Sequence, residues 1–204
     1  MANTQATFGF KHQGYLSGGA VDFQLTAYAI QSTYSTAIGF GDPVSFTTST
    51  TAPWIAQGAP ASTATSAPLI GIFQGCWFVP SAGGAPQYSS FWPGAQGSNG
   101  TAYVIDAPNA KFLVATLLTA ITSGSLGQLV NFTTGAPNTT GGGFSIATVD
   151  QSTLNSGGGT TAVALPFRIV GLYPGVGNGS DPTTNYNWVV VGFNNQIHRS
   201  MVGF

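Results

Sequence analysis

Glutamate is missing altogether from this chain, and the other charged residues are few. Its 204 residues include four Lys plus Arg and five Asp, so that only 4 % are charged and the formal net charge is −1. Soluble domains usually carry about a quarter charged residues. The residues that most often furnish exposed helix faces are therefore nearly gone. Thr, Val, Phe, Tyr, Ile and Gly stand in their place, which points to strands and turns. The four cations, Lys11, Lys111, Arg168 and Arg199, are spread along the chain. That spacing lacks the clustered basic signature of a nucleic-acid or phosphate binder, and no acidic tail or basic arm is present.

One cysteine, Cys76, excludes an internal disulfide framework and a multi-cysteine zinc site. No stretch approaches the ~20 apolar residues of a membrane span; the longest candidate is "KFLVATLLTAITSG". The first residues, "MANTQATFGFKHQGYLSGG", lack the apolar run of a signal peptide. The expectation is a chain made in a cytoplasm that stays soluble until it assembles.

What is there is apolar and aromatic. Hydrophobic residues make up 43 % and aromatics 12 %, enough to drive collapse rather than disorder. Residues 1–20 alternate aromatics with glycines and read as an extended N-terminal arm. "VDFQLTAYA" alternates as a half-buried strand, with Val21, Phe23, Leu25 and Ala27 on its inner side. "GFGDPVSFTT" has a turn at Asp42-Pro43, then Val44 and Phe46 on a common face. Residues 48–68 read as a long Thr/Ala/Pro-rich loop anchored by Trp54 and Ile55. "PLIGIFQGCWFVP" suits a buried or bent strand with glycines at 71 and 75.

"TAYVIDAP", "QLVNFTTG", "GGFSIATVD", "LPFRIVGLYP" and "YNWVVVGFNNQIHRSMV" supply further strands, separated by Gly-rich segments. "NAKFLVATLLTA" fits a strand, or a short helical turn leading into one. Short strands with a turn signal every ten to twenty residues argue for an all-β chain. The expected architecture is one antiparallel β-barrel or sandwich domain over 21–204, with long Gly/Thr-rich loops and the arm in front.

Each candidate for chemistry has a plainer explanation. A Cys76 nucleophile needs a base, and the only histidines are His12 in the arm and His198 near the end. Between apolar neighbours, a thiol is a small hydrophobe. Paired acids for glycoside hydrolysis would come from Asp22, Asp42, Asp106, Asp150 and Asp181. Asp42 and Asp181 precede proline, and Asp106 ends a strand, which suits turns. A Ca²⁺ loop could draw on Asp181, Asn185 and Asn187, but a single carboxylate gives weak affinity. The sequons at Asn99, Asn131, Asn138 and Asn178 arise by chance in so Ser- and Thr-rich a chain. Trp54, Trp77, Trp92 and Tyr88 suit a sugar platform, or a core. No catalytic residue, cofactor or metal site is expected.

The ordered series "GFGDPVSF", "IGIFQGCWFVPSAGGAPQYSSFWPG", "TAYVIDAPNAKFLV" and "FRIVGLYPG…NYNWVVVGFNNQIHR" resembles the capsid decoration proteins of tailed bacteriophages, also called cement or head-stabilising proteins. "GDPV", "GIFQGC" and the later "FWP" carry it most specifically. The resemblance implies a β-barrel or sandwich, homo-oligomers (often trimers) and binding to the major capsid protein on the outside of the virion, with no catalysis. Phe8, Phe10 and Tyr15 of the arm are the expected contacts to the capsid or a neighbouring subunit; alternatively the arm folds back on its own barrel. "NWVVVGF" is read as an unpaired edge useful between subunits. The competing expectation is a receptor- or glycan-binding β module of a phage head or tail fibre.

Overall fold

The computed structural model describes residues 2–22, 24–47, 52–60, 68–155 and 165–199. Its regular structure is all strand, apart from three single-turn 3-10 segments. The strands are β1 (Lys11–Tyr15), β2 (Thr26–Ile30), β3 (Pro43–Phe46), β4 (Ile55–Gln57), β5 (Leu69–Pro80), β6 (Gln87–Ser89), β7 (Gly97–Ile105), β8 (Ala110–Ala115), β9 (Leu129–Thr133), β10 (Thr148–Asn155), β11 (Phe167–Leu172) and β12 (Trp188–Phe193).

They form two six-stranded sheets. The first has the order β3-β4-β2-β7-β5-β6, and β3 also pairs with β5, so five of its strands close into a small barrel. Closure is antiparallel except at β2–β4, where Ile30 meets Ile55 in parallel. The second sheet has the order β1-β8-β12-β11-β9-β10, antiparallel throughout. It curls until the end of β8 touches β10, where Leu117 N–H donates to the Val149 carbonyl at 2.9 Å. In chain order, β1 opens the second sheet, β2 to β7 build the barrel, and β8 to β12 complete the second sheet.

Each sheet encloses its own core. The barrel holds Ile30, Ile38, Val44, Ile55, Phe73, Cys76, Trp92 and Val104. The second core holds Phe10, Phe112, Phe132, Phe167, Ile169, Val191 and Phe193, with Leu69, Ile72 and Ile105 reaching into it from barrel strands. Those three apolar side chains join the two sheets through buried surface.

β5 runs for 12 residues and is almost wholly buried as far as Cys76. A Cβ on Gly71 would stand 2.2 Å from the Ile105 carbonyl oxygen, so β5 and β7 approach there only because the residue is glycine. Gly75, with φ +129°, sits at a bulge that bends the strand. Beyond it Trp77 points outward and Phe78 inward, the opposite-face placement that period-2 geometry requires.

Several expectations change. The 21–29 strand starts only at Thr26, and its inward positions are Tyr28 and Ile30, opposite Ala102 and Gly100 of β7. Val21 and Leu25 are exposed, and Phe23 lies outside the described residues. The reason is the barrel: Ile30 fills the space beside Trp92, as the contacts around Gly100 show, and that register turns the other set outward. The long 48–68 loop contains β4, whose Ile55 is fully buried; residues 48–51 and 61–67 lie outside the described residues. "NWVVVGF" is no edge: β12 is paired on both sides, by β8 and β11. The edges are β1 and β10 in the second sheet, and β6 projects from the barrel. "NAKFLVATLLTA" forms the strand β8.

Candidate interaction surfaces

The three aromatic residues expected to reach a partner take three different positions. Phe10 is fully buried in the second core, its ring stacked on Phe167 at 4.5 Å and edge-on to Phe132 at 6.3 Å. Tyr15 packs against the same core, and its hydroxyl donates to Asp22, which raises the phenol pKa to about 12. Phe8 stays half-exposed, edge-on to Trp188 at 4.9 Å. The segment therefore lies back on its own chain, and Phe10 is core rather than a reaching residue. Asn3 fastens it further, donating to the Asp181 carbonyl and accepting from Gly179 N–H, each at 2.9 Å.

Around Phe8 the fold leaves an apolar pocket of about 410 Å³, lined by Phe8, Phe40, Leu113, Phe144 and Trp188 with Gln74, His12 and Lys11. Phe40 meets Phe144 edge-on at 5.8 Å. Phe144 comes from the end of the Gly-rich 135–143 segment, which reads from the sequence as a mere connection. The Phe40 N–H donates to the Gly143 carbonyl at 2.8 Å, tying that segment to the barrel. His12 Nε2 donates to the Gly14 carbonyl at 3.1 Å, and burial pushes its pKa down, so the ring is neutral. His12 Nδ1 and Trp188 Nε1 are both buried with no protein partner.

A second surface lies where β6 flanks β5. Trp77 and Tyr88 are directly opposed across the strands, 45 % and 55 % exposed, with ring centroids 6.1 Å apart. The tryptophans expected as one platform do not share it. Trp92 is fully buried with its indole N–H on the Tyr34 carbonyl at 3.1 Å, and Trp54 is half-buried near β4.

The groups weighed for chemistry are occupied by structure. Cys76 is buried against the Phe91 carbonyl, and burial pushes its thiol pKa up to about 12. Asp42 is buried and accepts from Gly39 N–H at 2.7 Å, from Gln57 Nε2 at 2.8 Å and from the Ser145 hydroxyl. It thus closes its turn and also clamps the barrel to the segment before β10. Burial raises its pKa, against the pull of those donors. Asp106 accepts from the Tyr28 hydroxyl at 2.8 Å and stands 3.5 Å from His198 Nε2. Asp150 and Asp181 close local turns on Ser152 and Thr183.

Asn187 is buried, and its amide both accepts from Ile121 N–H and donates to the Ile121 carbonyl. It is committed to the fold rather than open to a cation with Asp181. Among the described residues, no group of three or more His, Cys, Asp or Glu could hold a metal ion. No family model, curated protein or solved structure matches this chain.

Proposed function

We propose that this chain is a non-enzymatic virion structural protein that binds the outer surface of a phage capsid and stabilises its lattice. The observation that carries the reading is apolar surface on a chain almost without charge. Trp77, Tyr88, Leu118, Leu126, Phe144 and Val176 are exposed, and Val176 is fully so. Scattered apolar residues are ordinary on a soluble protein. With 4 % charged residues to keep copies apart, such a surface is better suited to lasting cover by partners. The sequence resemblance to capsid decoration proteins supports the same reading.

The mechanism is mass action. A protein that binds only the expanded lattice adds its binding free energy to that state, about 2.7 kcal/mol per site at a hundredfold excess over Kd. Bridging two capsomers turns weak contacts into avidity. The Trp77–Tyr88 corner beside the short strand β6 suits self-association, because it offers a projecting strand and a paired aromatic anchor. The test is quantitation of the chain in purified particles, with heat and osmotic challenge of capsids lacking it. Hundreds of copies per particle and weakened bare capsids are expected. A handful of copies, or bare capsids as robust as decorated ones, would overturn the reading.

The aromatic pocket around Phe8 favours a second reading, a receptor- or glycan-binding module, since aromatic walls with buried hydrogen-bonding groups suit sugar rings. A glycan array with no signal removes it.

A further inference from the structure

Three of the four basic residues, dispersed in sequence, are brought to one face of the second sheet. Lys111 on β8 stands opposite Gly192 on β12, and Gly192 stands opposite Arg168 on β11. Lys11 on β1 stands opposite Leu113, which alternates with Lys111 along β8. Opposed residues, and alternate residues of a strand, project from the same face. Phe112, Val114, Phe167, Ile169, Val189 and Val191 fill the core on the other face, so all three cations project outward. Two inter-strand spacings put the Lys111 and Arg168 backbones about 10 Å apart. That is close to one Debye length at physiological salt, so a partner meets the cations together.

The surface between them is apolar. A Cβ on Gly192 would lie 3.4 Å from the Leu16 side chain and 3.6 Å from Val170 Cγ1. One on Gly14 would lie 3.7 Å from Lys111 Cε and 4.0 Å from Val21 Cγ2. Leu16, Val21 and Val170 are themselves exposed. Among the described residues no ion pair engages Lys11, Lys111 or Arg168. The nearest acids by register lie at the margins and have local donors. Asp22 accepts from Tyr15 beside β1, and Asp150 accepts from Ser152 at the β10 edge.

We propose that this face docks a protein surface that is acidic around an apolar centre. Charge complementarity selects the occupant. A second copy applying the same face would set cations against cations. Elsewhere the chain has no glutamate and five aspartates, of which Asp42 is buried and Asp106 faces Tyr28 and His198. A nucleic-acid backbone matches the charges but sets its sugar-phosphate track against Leu16, Val21 and Val170. For the function proposed above the partner is the capsid exterior, and that identity rests on the decoration reading.

The test is co-sedimentation of the full chain with expanded capsids lacking it, at about 50 and 200 mM salt, a range over which exposed charge contacts are increasingly screened. The variants are Lys111→Glu/Arg168→Glu and Lys111→Gln/Arg168→Gln, with thermal midpoints confirming that both fold. Wild type is expected to bind and to weaken with salt. The glutamate pair should bind about tenfold more weakly or worse, and the glutamine pair should fall between with a reduced salt dependence. Wild-type affinity in both variants overturns the docking face and leaves the capsid reading standing. Failure of wild type itself to sediment overturns both. Duplex DNA bound at the same salt, or capsid binding abolished by nuclease, overturns the acidic-protein occupant.

Discussion

Replacing Phe10 by alanine tests most directly where the N-terminal segment belongs. The ring is fully buried, stacked on Phe167 at 4.5 Å and edge-on to Phe132 at 6.3 Å, while its N–H donates to the Gly41 carbonyl at 2.9 Å. Removing a buried phenylalanine costs about 3–5 kcal/mol, from lost transfer free energy plus the cavity left behind. In a chain of this length each kcal/mol moves the melting point by about 2–4 °C, so Phe10→Ala should melt roughly 6–20 °C lower. Phe8→Ala is the internal control. It removes a half-exposed ring with one aromatic contact at 4.9 Å, worth about 0.5–1.5 kcal/mol beyond area burial. Urea unfolding followed by tryptophan fluorescence, with m unchanged, gives both values. A Phe10→Ala loss below about 1 kcal/mol, or one equal to Phe8→Ala, would refute the placement, since the cost of a buried ring cannot be that small.

Other consequences follow from single contacts. Gly71→Ala places a methyl 2.2 Å from the Ile105 carbonyl oxygen and should cost about 1–3 kcal/mol in denaturant titration; an unchanged midpoint would show that β5 and β7 separate freely. The buried Cys76 thiol, pushed up to about 12, should stay unlabelled by a thiol reagent in the native protein at mild alkaline pH and react fully in denaturant. Fast native labelling would contradict its burial. Asp42 is raised above its ordinary value of 3.8 by burial, so folding favours its protonated form. Its stabilising contribution is then fullest below the unfolded pKa and declines as pH rises through the folded one. Asp42→Asn should cost about 1–3 kcal/mol by setting an amide N–H against existing donors. The gap between wild type and variant should narrow as pH rises, and a gap that widens would reverse the sign of the argument. Trp77→Ser, at an exposed site, should leave the melting point within a few degrees and shift sedimentation toward smaller species.

The legible parts of the fold are those written in local pattern. Alternation in "FRIVGL" and "WVVVGF" makes strands of them, and the Asp-Pro step at 42–43 makes a turn that Asp42 closes through Gly39 N–H. Trp77 and Phe78 take opposite faces because neighbouring strand residues must. The face of β2 was not legible, because it depends on whether Ile30 or its neighbours fill the barrel beside Trp92. Nor was the state of β12 as an interior strand, since an apolar run reads the same whether it has one partner or two. The N-terminal segment looked free because its glycines and aromatics carry no period; Phe10 has a place only once Phe132 and Phe167 have made a core for it.

The sequence alone determined what the chain cannot be built from. Without glutamate, and with so few lysines, arginines and cysteines, it could hardly become a charged helical bundle or a disulfide scaffold, and its β-branched and aromatic residues led to sheets. Tertiary structure decided which distant residues meet. Lys11, Lys111 and Arg168 are far apart in sequence and become neighbours because strand register, set by side chains on the opposite face, carries them to a single surface. Cross-strand pairing is non-local, and no local signal in the chain encodes it.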